Sequence, residues 1–174
     1  CMIDHIPELM DAGVSCLKIE GRAKSAYYAA IVTGAYRHVI DDAAAGRPVD
    51  PVWRDEVEHV SHRRYSTGFF FGQPGQYTES SRYIREWQVC AIVTDCDVTG
   101  RATLSLRNKF AAGDSVELVG PDLRPFALTV PMMRDMDGND LSEPRNPQME
   151  FTMQLPRPVP PYSILRRSVE LSAK

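Results

Sequence analysis

Nowhere in the 174 residues do eighteen or so apolar positions follow one another, so no segment could cross a bilayer as a helix. A secretory leader is also missing. The chain opens on Cys1 rather than Met, however, and we read it as a piece of a longer polypeptide, in which a missing leader carries no weight. Charge of one sign is lacking as well. Twenty Lys and Arg stand against 23 Asp and Glu, a net charge of −3 with a pI near 5.8, which excludes bulk attraction to nucleic acid or an anionic membrane. Any RNA contact must come from a local basic patch. The four cysteines, Cys1, Cys16, Cys90 and Cys96, form neither a CxxC pair nor a compact metal knuckle. Cys90 and Cys96 read as small apolar residues in a strand and a turn, and so much ordinary core argues against a disulfide framework. No Ser-His-Asp, Cys-His or HExxH arrangement appears, and His59 and His62 lack a third nearby ligand.

What is present begins with CLKIEGRAKSAYY, Cys16–Tyr28. Side chains alternate between the faces of a strand, so Leu17 and Ile19 share one face while Cys16, Lys18 and Glu20 share the other. A parallel strand covered on both sides is apolar on both faces. Here a Lys and a Glu stand together just before a Gly-Arg turn, the place where an α/β barrel builds its active site. An edge strand whose Lys and Glu face water fits the same pattern.

Three regions separate along the chain. In residues 1–45, Asp4 can cap a short helix carrying Ile6, Leu9 and Met10, with Pro7 in its first turn and Gly13 at its end. A strand over Ser15–Glu20 follows, then a helix from Ser25 whose Tyr28, Ile31, Val32, Ala35, Tyr36, Val39 and Ile40 keep helical spacing. Helix, strand, helix is the pattern of the last turn of an α/β unit. Residues 46–82 read as a connector. Pro48 and Pro51 break the helix, Trp53–Val60 can form a short one, and HRRYSTGFFFGQPGQY sets His62, Arg63 and Arg64 beside Tyr65 and three phenylalanines. A basic cluster beside aromatics suits RNA stacking and phosphate contact. An extended segment packing Phe69 and Phe71 onto the α/β barrel is the simpler account of the phenylalanines.

Residues 83–174 read as all-β. Apolar runs at Val89–Thr94, Ala102–Leu106, Ser115–Val119, Phe126–Val130 and Met149–Gln154 are parted by turn signals at 97–100, 112–114, 120–122 and 137–139. Such spacing predicts a small closed or partly closed barrel. Asp135-Met-Asp137-Gly138 lacks the later ligands of a calcium loop and reads as a hairpin turn. A proline-rich stretch then leads to Tyr162–Arg167, read as a final edge strand.

HIPELMDAGVSCLKIEGRAKSAYY, HRRYSTGFFFG, RNKFAAGDSVEL and MMRDMDG, in that order, resemble the C-terminal part of the collagenase-like peptidases of family U32. The resemblance implies an α+β fragment: the last helix-strand-helix of a TIM-like α/β barrel followed by a small β-barrel domain. It also implies that Cys1 stands where cluster-bearing members place the last of four cysteine ligands to a [4Fe-4S] cluster. Members with a cluster and this appended barrel resemble enzymes that hydroxylate RNA bases, including the wobble uridine of tRNA with prephenate as co-substrate. On that likeness the candidate catalytic residues are Lys18, Glu20 and Arg22, with Lys24 and Tyr28 binding a small anionic molecule. Arg63 and Arg64 beside Tyr65, and Arg107 and Lys109 beside Phe110, are the candidate RNA contacts, each pairing a phosphate-binding cation with a stacking ring, and Cys1 is the candidate metal ligand. Proteolysis of a protein or peptide substrate, as the family name implies, is the alternative, and a β-barrel binding or scaffold module is a third. A cytoplasmic protein without membrane contact is expected.

Overall fold

The computed structural model describes residues 1–75, 77–121 and 123–169. Asp122 of the expected 120–122 turn, Gln76 of the aromatic segment and residues 170–174 of the expected C-terminal domain lie outside them. The chain divides into two compact units, Cys1–Glu86 and Trp87–Lys174.

The first unit is helical. A 3₁₀ turn at Ile3–His5 runs into α1 (Ile6–Asp11), followed by α2 (Ala26–Ala44) and α3 (Val52–Glu56). Ser25 caps α2 by accepting the Tyr28 N–H at 3.2 Å. Pro7 sits in the first turn of α1, where its missing N–H is harmless. Gly13 ends the helix at φ +85°, a conformation that glycine reaches without Cβ strain. Asp4 does not cap α1 as expected: it pairs with Arg54 Nε at 2.9 Å. Ile3 of the 3₁₀ turn, Ile6 of α1 and Ala35 and Val39 of α2 are buried against Trp53 and Val57. Residues of the expected connector thus complete this small core.

Residues 15–20 form no ladder with any other segment among the described residues, contrary to the strand expected there. A strand exists only through a hydrogen-bonded neighbour, and none is on hand. Phe69 and Phe71 are both exposed, Phe69 by 80%, so neither is buried against this helical unit. Gly68–Phe71 is a turn rather than an extended segment, so alternate side chains cannot share a covered face.

The second unit is one eight-stranded antiparallel sheet in the order β4-β3-β8-β1-β2-β7-β5-β6. Its strands are β1 (Trp87–Cys96), β2 (Arg101–Leu106), β3 (Ser115–Gly120), β4 (Leu123–Thr129), β5 (Met133–Arg134), β6 (Asp140–Leu141), β7 (Glu150–Gln154) and β8 (Ile164–Ser168). Inward residues from six of them, among them Val93, Leu104, Leu118, Met133, Phe151 and Leu165, join one buried cluster. The twisted sheet therefore curls around a single core while β4 and β6 remain its edges. The α+β class, a helical part followed by an all-β domain, is as the sequence predicts.

Two details of the sheet differ from expectation. The last strand is not an edge, because β8 pairs with β1 on one side and β3 on the other. Ile164, Leu165 and Arg166 are all buried there, the guanidinium held by Glu117 Oε2 at 2.9 Å and lying 4.7 Å from the Trp87 ring. Two two-residue strands, β5 and β6, flank the turn at Asp135–Gly138, where Asp135 Oδ1 accepts the N–H groups of Asp137 and Asn139. That hairpin is the one expected. Within β4, Arg124 and Pro125 stand where the register with β3 shifts by one residue.

Candidate functional site

The longest stretch of candidate residues borders a cavity in the first unit. Residues 16–20, Cys1, Leu9, Tyr28, Val32, Tyr36, Tyr65 and Phe70 are among those lining a space of about 440 Å³, within the range of small-molecule sites. The segment is held at its two ends. Val14 N–H bonds to Leu9 O at 3.0 Å, and Lys24 N–H closes a turn on Gly21 O at 2.9 Å. The expected alternation survives in part: Lys18 and Glu20 expose more of their side chains than Leu17 and Ile19, yet all four border the cavity.

Glu20 lies between two cations. Lys18 Nζ is 3.7 Å from one carboxylate oxygen and Arg22 Nε is 3.7 Å from the other. The triad carries a net positive charge in water-accessible positions, with the guanidinium 91% exposed. Solvent screening leaves each pair weak, so both cations can exchange the carboxylate for a stronger anionic partner. A guanidinium can meet a carboxylate in two parallel hydrogen bonds, whereas an ammonium acts as a point charge.

Tyr28 and Tyr36 enter the cavity from α2. The Tyr36 hydroxyl accepts the Met2 N–H at 2.9 Å and lies 3.5 Å from Cys1 Sγ, and burial pushes its pKa up. Tyr65 donates to Val57 O at 2.6 Å, and its burial likewise raises the phenol above its ordinary range. These are neutral, positioned hydroxyls.

Cys1 and Cys16 border the same cavity, and neither is in a disulfide. A four-iron cluster takes four thiolates. No group of three or more His, Cys, Asp or Glu among the described residues could hold a metal ion, so these residues alone do not fit such a cluster. His59 Nδ1 is engaged with Glu56 at 3.1 Å and His62 Nδ1 with Arg63 O at 2.7 Å.

The remaining cations are arranged differently from the pairs that sequence adjacency suggests. Tyr65 is not the ring beside Arg63 and Arg64, because it is stacked on His62 at 4.5 Å. Arg63 lies over Tyr83 at 5.0 Å and Arg64 over Tyr77 at 4.1 Å. Lys24 Nζ donates to Ser61 O at 2.8 Å and sits over Tyr83 at 4.1 Å and Tyr28 at 5.1 Å. Tyr83 and Arg85 are invisible to sequence adjacency, since an isolated bridge between His62 and Ile84 brings them in across some twenty residues of chain; Tyr77 meets Arg64 from within that stretch. In the second unit, Arg107 donates to Ser105 Oγ at 2.7 Å and Lys109 is exposed. Phe110 is no stacking surface beside them, being 3% exposed and tilted against Phe151 in the core.

Two sequence families match the chain: "Peptidase family U32" over residues 1–80 and "Peptidase family U32 C-terminal domain" over residues 85–166. The tRNA hydroxylation protein P1 of Bacillus subtilis (strain 168) is 32% identical over 173 residues, covering 95% of this chain and 41% of that protein. The tRNA hydroxylation protein P of Escherichia coli (strain K12) is 34% identical over 160 residues, covering 90% of this chain and 35% of that protein. The C-terminal domain of a U32 peptidase of Geobacillus thermoleovorans, in its selenomethionine crystal form, is 34% identical with a TM-score of 0.44, covering 46% of this chain and 99% of that one. The chain thus spans less than half the length of these curated relatives.

Proposed function

The chain belongs to peptidase family U32, and from that premise we propose that it serves the hydroxylation of tRNA, at the wobble uridine, with prephenate as co-substrate. The observation that carries this reading is the exposed Lys18–Glu20–Arg22 triad, of which Lys18 and Glu20 line a cavity of about 440 Å³ and Arg22 stands against Glu20 just outside that lining, in a chain similar along 95% of its length to a tRNA hydroxylation protein. A dicarboxylate displaces Glu20 from its two cations and takes the guanidinium of Arg22 in two hydrogen bonds. Lys18 then neutralises remaining charge, and Glu20 keeps the cations apart and oriented when the site is empty of anion. Tyr28 offers an aromatic wall, and Lys24 a further cation beside it. Cys1 offers one thiolate toward an iron–sulfur cluster, and this chain is not expected to assemble a cluster by itself.

The test is a comparison of tRNA nucleosides, by mass spectrometry, from cells with and without the gene. Loss of the hydroxylated wobble uridine on deletion, restored by the intact gene but not by Arg22→Ala, is the expected result. Unchanged tRNA, together with release of peptides from gelatin by the intact protein, would instead establish the proteolysis that the family name implies.

A further inference from the structure

Resting on that reading for its choice of polyanion, we propose that Tyr83 and the cations gathered on it form a docking site for the phosphodiester backbone of single-stranded RNA. The site follows from one short pairing. His62 N–H bonds to Ile84 O at 3.2 Å and Ile84 N–H to His62 O at 2.8 Å. In an antiparallel pair this sets Ser61 opposite Arg85 and Arg63 opposite Tyr83. The side chains agree: Arg85 Nε donates to Ser61 Oγ at 3.1 Å, and Arg63 lies 5.0 Å from the Tyr83 ring centre. Lys24 arrives from the start of α2, donates to Ser61 O at 2.8 Å and stands 4.1 Å from the same ring, with Arg85 at 5.8 Å. Arg64 makes a second station over Tyr77, 4.1 Å away.

Among the described residues, no carboxylate pairs with Lys24, Arg63, Arg64 or Arg85. An aromatic face holds a cation in place without cancelling its charge. Three like charges on one ring repel one another, and an anion relieves that repulsion. In a chain of net charge −3 such a gathering runs against the composition. Successive residues, Arg63 and Arg64, each hold a cation on a different tyrosine, and more than one such station suits a repeating phosphate better than a single small anion. Guanidinium planes and half-exposed tyrosines also offer flat surfaces to unstacked bases, as single-strand readers do. Lys24 lies 5.1 Å from Tyr28, whose ring borders the cavity, so a backbone docked here passes the cavity wall.

The experiment is fluorescence anisotropy of a labelled single-stranded RNA oligonucleotide with the full chain, from about 50 to 200 mM KCl. The unsubstituted chain binds with a negative salt slope. Lys24→Gln/Arg63→Gln/Arg85→Gln weakens binding at least tenfold and reduces the slope by about 2, at about 0.7 for each single-strand phosphate contact. The same charge loss at Arg37→Gln/Arg47→Gln/Arg134→Gln, whose cations are already paired with aspartates, leaves binding and slope as they were. Tyr83→Phe retains affinity and Tyr83→Leu loses it, with circular dichroism confirming that each variant is folded. The proposal is overturned by absent binding of the unsubstituted chain, by equal losses in both triple variants, by wild-type affinity in the first triple variant or in Tyr83→Leu, or by displacement of RNA by malonate at an ionic strength where KCl displaces none. That last result identifies a small-dicarboxylate site instead. Nucleoside analysis separates the two proposals. Deletion that abolishes the hydroxylated uridine, with full restoration by the first triple variant, sinks the docking site and leaves the function. Deletion that leaves tRNA unchanged, with RNA binding lost in that variant, does the reverse.

Discussion

Single residues show where local chemistry wins over sequence appearance. Arg166 and Arg167 look like the polar end of an exposed strand, yet Arg166 is fully buried between Glu117 and Trp87 while Arg167 pairs with Asp114 at 3.0 Å. Nothing in a run of two arginines reveals which will be enclosed, because the enclosing groups come from strands far away in sequence. Removing a partner from a buried ion pair is costly, and we expect Arg166→Ala to destabilise the sheet by about 3 kcal/mol in urea unfolding. Gly100 is a second such position. Its φ is +86°, and an added Cβ would stand 2.8 Å from the Leu155 carbonyl oxygen, so Gly100→Ala should cost about 1–3 kcal/mol. Gly21→Ala, whose Cβ would meet the Tyr28 ring no closer than 3.6 Å, should leave the thermal midpoint nearly unchanged. Cys90 offers a chemical check. Burial pushes its thiol up to about 11, and only the thiolate is reactive, so alkylation should label exposed Cys16 long before Cys90.

Elements were legible wherever period and punctuation agreed. The cap at Ser25, the stripe on α2, and the strands separated by Asp and Gly turns all follow from side-chain spacing. Ser25→Ala should therefore destabilise the helical unit by about 1 kcal/mol, read as a lower urea midpoint. Less legible were elements whose existence depends on a partner. Leu17 and Ile19 alternate like a strand but find no ladder among the described residues, whereas β5 and β6 are too short to carry a pattern and exist because β5 finds β7 on one side and β6 on the other. The cations suffered the same limitation: Arg63 and Arg64 were visible, but the rings they use, Tyr83 and Tyr77, come from beyond the turn. Two turns also predict an acid response. Hydrogen bonds from Thr99 hold the Asp97 carboxyl below its usual range, and those from Asn139 do the same for Asp135. A carboxyl depressed in the folded state binds fewer protons than in the unfolded chain, so its contribution is present above the ordinary Asp value of about 3.9 and lost as pH falls through the folded value. Asp97→Asn/Asp135→Asn should flatten the acid limb of the stability–pH curve.

At the scale of the molecule, two units of different character share one chain. Among the described residues the core cluster of the helical unit joins six buried side chains and that of the sheet sixteen, so the former should yield first. Limited proteolysis is expected to digest 1–86 and leave a protected product that begins near residue 87; equal survival of both would contradict this ranking. No described helix is long and apolar enough to cross a membrane. The sheet, for its part, ends on two edges that differ in kind. On one, β4 carries Pro125, which has no N–H to offer, at the point where its pairing with β3 loses register. On the other, β6 is two residues long, and its Asp140 faces Arg134 at 3.5 Å. A second molecule approaching either border finds the row of donors and acceptors cut short, by Pro125 on β4 and by the length of β6. Crowded in a test tube or a cell, the sheet is thereby protected from growing into a fibril, and Pro125→Val should erode that colloidal patience before it alters the fold.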